Sequence, residues 1–329
     1  MSILKKLSNG QSGFSLVELM IAMVVSLFLT LGIFSMFAMS STNVTTTSQF
    51  NQLQESGRIA LALIERDISQ VGFMGDMTGT DFVLGTNTTI NAPAIAAAND
   101  CIGGGANNAS FPNDETAHFR RIWGYEHSAG GGGMECIPDA LDETDVLQVK
   151  RLIGPSVAPT TLNSNRYYMA TTSSQAVIFT GEQAVPPLTN SRLWELQHHV
   201  YFIQTDNDVP VLMRRVLGKG GMNSGSSYEQ LVEGIENIRI MYGFDSNGDK
   251  SADSFRPAQN TTSFMWDNTT LQRLVAVRIY VLVRSLEEDN NYTNNTVYKL
   301  GDKEISANGD GFRRKVVMTT VVLENPILL

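Results

Sequence analysis

Cysteine and histidine are scarce in this chain, and clustered positive charge is almost missing. Among 329 residues there are two cysteines, Cys101 and Cys136, and four histidines, His118, His127, His198 and His199. No Cys/His cluster has metal-ligand spacing, and neither His-Glu-x-x-His nor Gly-x-Ser-x-Gly occurs. His198 and His199 are neighbours; in a strand they would point to opposite faces and could not serve one site. The formal charge is −9, and the longest basic cluster is Arg313-Arg314-Lys315, inside an apparent strand. That is no basic face of the kind nucleic acid requires. The glycine runs at 103–105 and 130–133 are not followed by Lys-Ser/Thr, so they read as loops and not as phosphate cradles.

One absence is organising. From Phe14 to Met39 there is no Lys, Arg or Asp. As a helix this run would be roughly 39 Å long, enough for a hydrocarbon layer of about 30 Å. Lys5 and Lys6 precede it and would hold that end in the cytoplasm, with the rest of the chain outside. A secretory signal places its small-residue cleavage site after the apolar region. Here the small residue, Gly13, comes before it. A cut at Gly13 would leave the helix on the mature chain, beginning at Phe14.

The run holds one carboxylate, Glu18. An ionised side chain at the centre of a membrane helix costs roughly 2.5–3.5 kcal/mol, and less near the interface. Such a group asks for a positive partner, and the free amine of Phe14 on a neighbouring helix of the same kind would supply one. The plainer alternative is a single-span anchor with a Glu among the headgroups.

Residues 40–48 are Ser/Thr-rich and mark the exit from the membrane. Phe50, Leu53, Gly57, Leu61, Ile64, Ile68 and Val71 then recur at spacings of three and four, opposite Gln52, Glu55, Arg58, Glu65, Arg66 and Gln70. This predicts an amphipathic helix that continues the first, ends near Gly72 and packs on a sheet. Residues 74–144 show no regular period. From Asp145 strands dominate. Tyr167–Met169 and Val177–Phe179 form one expected pair, Trp194–Ile203 and Val209–Val216 flank a turn at Asp206-Asn207-Asp208, and Val275, Val277, Ile279, Val281 and Val283 alternate. Strands without intervening helices imply a mostly antiparallel sheet.

Outside the cytoplasm an even cysteine count reads as one disulfide, the alternative being two free thiols. It would brace Gly/Asn-rich sequence. Asp245, Asn247, Asp249 and Asp253 occupy positions 1, 3, 5 and 9 of a short loop. Oxygen ligands at that spacing can wrap a calcium ion. Lys250 and Arg256 depart from the EF-hand pattern, and a solvated Asx-rich turn is the competing reading.

The stretch Gly13-Phe14-Ser15-Leu16-Val17-Glu18-Leu19-Met20-Ile21-Ala22 resembles the class III signal of type IV pilins and pseudopilins. That resemblance implies cleavage after Gly13 by a prepilin peptidase, N-methylation of Phe14 and an assembly role for Glu18. Farther on, residues 230–236, Tyr242-Gly243-Phe244-Asp245, Asn247-Gly248-Asp249, Gly124-Tyr125-Glu126, Asp145-Val146-Leu147 and the closing Arg313-Arg314 strand resemble PilW-type minor pilins. One departure is Asp76, where Cys is expected; it leaves Cys101–Cys136 as the pairing open to this chain.

The expected architecture is α+β and type IV pilin-like, a long N-terminal helix on a mostly antiparallel domain with long Gly/Asn-rich loops. Its expected parts are a leader (1–13), a transmembrane helix (14–39), its amphipathic continuation (40–73), a loop-rich insertion (74–144) and a β-rich domain (145–329). The implied function is that of a minor pilin, not an enzyme, which primes or caps type IV pilus assembly. Implied partners are the other minor pilins, the major pilin, the prepilin peptidase, the inner-membrane assembly platform and membrane lipid, with no nucleic acid. The implied location is the inner membrane, single-pass, with the C-terminal domain in the periplasm and later in the pilus. No cofactor is implied beyond the calcium reading. The alternatives are a J-type pseudopilin of type II secretion and, from another class, a membrane-anchored adhesin or periplasmic enzyme.

Overall fold

A computed structural model describes residues 13–115, 117–128, 133–222 and 228–325. Helix α1 runs Leu16–Ser69. Contacts divide the chain into two units that meet at Asn51/Gln52.

The first unit is the apolar part of α1. Leu16–Ser40 is long and apolar enough to cross a membrane. Every large apolar side chain from Phe14 to Met39 is more than half exposed. Its few hydroxyls turn inward on the helix: Ser26 Oγ donates to Met23 O, Thr30 Oγ1 to Ser26 O and Ser35 Oγ to Gly32 O. Apolar surroundings demand that kind of satisfaction within the segment.

The second unit carries the rest of α1 and two main sheets. The larger sheet holds β1 (Thr88–Ile90), β2 (Ile122–Glu126), β3 (Asp145–Val157), β4 (Tyr167–Thr171), β5 (Ala176–Thr180), β6 (Arg192–Asp206), β7 (Val209–Val216) and β8 (Tyr228–Glu233). Its order is β1-β5-β4-β6-β3-β2, with β7 also on β6 and β8 on β7. Only β1–β5 is parallel among the described pairs of this sheet. The second sheet is antiparallel, in the order β10 (Ser254–Pro257), β9 (Ile235–Asp245), β11 (Arg273–Arg284), β14 (Arg314–Val322). A short helix α2 (Ser263–Trp266) precedes β11, and β12 (Val297–Leu300) pairs with β13 (Lys303–Ser306). An N-terminal apolar helix followed by a mostly antiparallel β domain makes the fold α+β.

Local chemistry explains the main elements. The β6–β7 hairpin closes on two residues, Asn207 and Asp208, both with positive φ (47° and 65°). That is the mirror-image turn whose twist matches paired strands. In β11, Val277, Ile279, Val281 and Val283 are fully buried. On α1 the buried stripe is Leu53, Gly57, Ala60, Ile64 and Ile68, and Val71 extends it just past the helix end. Ala60 takes the place expected for Leu61, which is half-buried, because 3.6 residues per turn brings Ala60 under Ile64. A Cβ at Gly57 would stand 2.8 Å from Val317 Cγ2, so glycine lets the helix lie close on β14.

Residues 74–144 are less irregular than their composition suggests. They supply β1 and β2, the two ends of the main strand order. Neither has a readable alternation: β1 is three residues long, and β2 buries Ile122, Trp123 and Gly124 in succession.

Candidate functional site

The N-terminus presents a residue that could be processed and a residue that could pair. Gly13 and Phe14 precede the first helical turn, and Phe14 is 89% exposed. A Cβ built on Gly13 meets nothing within 4 Å. Glu18 accepts the Ser15 amide through Oε2 at 2.9 Å. A carboxylate there caps an amide left open by the helix start and lies at the positive end of the helix dipole. Glu18 is therefore held at the helix start and is exposed.

A second centre anchors the last turn of α1 to the sheet. Asp67 Oδ1 accepts from Arg151 Nη2 at 2.6 Å, and Oδ2 accepts from Tyr201 OH at 2.6 Å and from His199 Nδ1. Arg151 Nη1 also donates to Gln70 Oε1 at 2.6 Å. All four of Asp67, Arg151, His199 and Tyr201 are buried. Burial would raise the Asp67 carboxyl, but the His199 hydrogen bond, the Arg151 charge and the Tyr201 hydroxyl outweigh it and hold it far below the usual carboxylate range. Burial lowers His199 despite Asp67, so its ring is neutral and donates from Nδ1.

His198, on the opposite face of β6, closes a different cluster. Ser110 Oγ lies 2.6 Å from Asp100 Oδ1 and 2.8 Å from His198 Nδ1. The Asp100 carboxylate can only accept, so the Ser110 proton points to it and His198 Nδ1–H donates to Ser110 Oγ. The Ser110 proton is thus turned away from the histidine, opposite to the direction that activates a serine nucleophile. His118 Nδ1 pairs with Asp81 Oδ2 at 2.6 Å, and His127 Nε2 stands 3.8 Å from Asp142. The four histidines therefore lie in four separate surroundings.

Cys101 and Cys136 form a disulfide with Cα atoms 5.3 Å apart, both buried. It gathers the Gly-rich segment around Trp123: a Cβ at Gly103 or Gly104 would stand 2.6 Å from that indole. Asp76, where the family resemblance leads one to expect Cys, instead accepts from Thr171 Oγ1 at 2.7 Å and from Arg192 Nε at 3.0 Å.

The four oxygen-bearing residues of the 245–253 loop lie together, but the loop folds on its own amides. Asp245 accepts from the backbone of Asn247 (2.9 Å), Gly248 (2.7 Å) and Lys250 (2.8 Å). These amides, that of Gly248 foremost, lower its carboxyl below the usual range. Asp253 Oδ2 accepts from Ser246 N, and Asn247 Nδ2 reaches Asp249 and Asp253 at 3.3 Å each. Gly248 and Lys250 have positive φ. This is the geometry of an Asx-rich turn. No group of three or more His, Cys, Asp or Glu among the described residues is arranged to hold a metal ion.

Sequence reasoning missed the Asp67 and Ser110 clusters. Their members are scattered in sequence, and a charged residue on an amphipathic helix reads as solvated. The one usable signal was Arg151, a cation at the alternation otherwise held by Leu147, Val149 and Ile153.

An exposed apolar helix with a carboxylate at its start, followed by a mostly antiparallel β domain, is the arrangement that the pilin resemblance implies. Comparison with known families agrees at both ends. Residues 8–34 match the prokaryotic N-terminal methylation motif, and residues 200–325 match the family described as Type IV Pilus-assembly protein W. No curated protein and no solved structure matches the chain. The two family matches support a type IV pilus-associated pilin of the PilW type, and the N-terminal signal and apolar helix fit an inner-membrane anchor.

Proposed function

We propose that the chain is a minor pilin that primes or caps type IV pilus assembly. It is cleaved after Gly13, methylated at Phe14, and held in the inner membrane with its β domain in the periplasm until it joins a fibre. Glu18 then accepts the Phe14 amine of an adjacent pilin. The observation that carries this reading is Glu18 itself: one carboxylate at the start of a wholly exposed apolar helix, in a segment matching the methylation motif. Paired, such a charge is tolerable in apolar surroundings; alone it is costly. Its partners would be the other minor pilins, the major pilin, the prepilin peptidase and the assembly platform. Pilin-family domains are structural, and the Ser110 cluster is arranged as a buried clamp.

The test is recovery from sheared pili. A minor pilin is found in the fibre fraction far below the major subunit, and its deletion lowers the number of surface pili. Normal piliation on deletion, with loss of protein secretion, would assign it to a secretion pseudopilus instead. Mass spectrometry of the mature chain should begin at methylated Phe14; a chain that still begins at Met1 or Ser2 in a piliated host contradicts the processing.

A further inference from the structure

The crevice beside Asp67 holds more positive charge than its anchoring role consumes. It has a volume of about 180 Å³, and its wall includes the guanidiniums of Arg66, Arg151, Arg166 and Arg214 against the carboxylates of Asp67 and Glu229. Two of these cations are spoken for. Arg151 binds Asp67 and Gln70, and Arg214 donates twice to Glu229 Oε2, at 2.9 and 2.6 Å. The others are not claimed by the crevice's carboxylates. Arg166 makes one long bond, Nη1 to Leu217 O at 3.4 Å, and its Nε stands 3.9 Å from Glu195. Arg66 sits exposed in the last turn of α1 and lines the same space.

The charge balance needs a counter-ion. Four cations face two lining carboxylates, and counting Glu195 as well still leaves a positive surplus. That surplus stands out on a chain of formal charge −9. Like charges gathered in a half-enclosed space repel, and an opposite charge placed among them is favoured. Guanidinium forks match the planar carboxylate and the tetrahedral phosphate or sulfate, which they bind with two parallel hydrogen bonds. At ~30 Å³ per water, the space equals about six waters, room for one such group with part of its hydration.

We propose that this crevice is an oxyanion site, taking one carboxylate, phosphate or sulfate group. Arg66 and Arg166 clamp the anion, and Arg151 and Arg214, fixed by Asp67 and Glu229, form the positive floor. A bound anion would tie the last turn of α1 to β7 and to the residue that leads into β4. This proposal stands apart from the pilus reading and can fail or succeed without it.

The test uses the purified full chain in detergent, by calorimetric titration and thermal unfolding. The probes are inorganic phosphate, sulfate and N-acetylglutamate, with chloride at matched ionic strength as control. The expected result is saturable binding and a raised melting temperature with at least one oxyanion beyond chloride. Affinity should fall about tenfold or more in Arg66→Gln/Arg166→Gln, which loses charge-assisted hydrogen bonds. The single variant Arg66→Gln alters only an exposed side chain and keeps the test valid if the double variant folds poorly. A stronger response to N-acetylglutamate assigns the site to an acidic protein side chain; a stronger response to phosphate or sulfate assigns it to a free anion. No saturable response, or an equal one in wild type and both variants, overturns the proposal.

Discussion

Asp67, in the last turn of α1, and Arg151, on β3, are joined at 2.6 Å with both side chains less than 5% exposed. The pair binds the helix to the sheet through charge where the rest of the stripe binds through packing. Removing one partner leaves the other charged and buried, which costs about 3–5 kcal/mol. Asp67→Ala is expected to lower denaturant stability by that amount, read by tryptophan fluorescence. Asp67→Leu/Arg151→Met, which removes both charges, should recover part of the loss. A change below about 1 kcal/mol in Asp67→Ala would show that the pair contributes little.

Stability should depend on pH through His198. Burial first, then the charge of Lys150, holds its ring well below 6.5. The folded chain therefore keeps His198 neutral while the unfolded chain takes a proton near pH 6.5. This contribution is fully present above pH 6.5 and is lost as the pH falls, by up to about 1.4 kcal/mol per pH unit. His198→Gln should show a shallower loss between pH 7.5 and 5 than wild type. Parallel profiles would contradict a neutral, buried His198.

The disulfide should matter most to the Gly-rich segment. Its cysteines are 35 residues apart, and closing such a loop stabilises by about 3–4 kcal/mol on chain-entropy grounds. Cys101→Ser/Cys136→Ser is expected to shift the unfolding midpoint accordingly, and non-reducing peptide mapping should find the two joined. Two freely alkylated thiols in the native protein would contradict the pairing.

The 245–253 loop is expected to be capped by its own amides. Asp245→Ala should lower the melting temperature by a similar amount in millimolar calcium and in chelator, since the lost acceptor serves three amides. A calcium-dependent rise in wild type, absent in Asp245→Ala/Asp249→Ala, would instead establish the ion.

Where one physical signal dominated, the sequence could be read directly. The alternating valines of β11 leave few options but a strand, and Asn207-Asp208 between two apolar runs favours a tight hairpin. The apolar run after Gly13 has a composition that water does not tolerate unless something covers it. Legibility failed where position depends on contacts distant in sequence. Lys150 is fully buried, its ammonium held by the Asn108 and Ala109 carbonyls, yet a lysine in a strand reads as solvent-facing. β2 lies between Gly-rich stretches and, among the described strands, pairs with β3, a partner distant from it in pattern. Asp67 falls at the spacing of the buried stripe, beside Ala60 and Ile64, but a carboxylate there reads as solvated, and only Arg151, His199 and Tyr201 make its burial tolerable.

The central claim is that Glu18 acts between chains. Within one chain it accepts the Ser15 amide at 2.9 Å, which local capping alone could explain. Glu18→Gln separates the two roles: a glutamine carbonyl can still accept that amide, but it cannot neutralise an amine. The direct measurement is recovery of partner pilins with the tagged chain, with counts of surface pili, in Glu18→Gln and Glu18→Ala strains. The account expects both variants to insert and fold as wild type does, and both to lose partner recovery and piliation. Undiminished recovery and wild-type piliation in both would contradict it and leave Glu18 as a cap on a plain anchor.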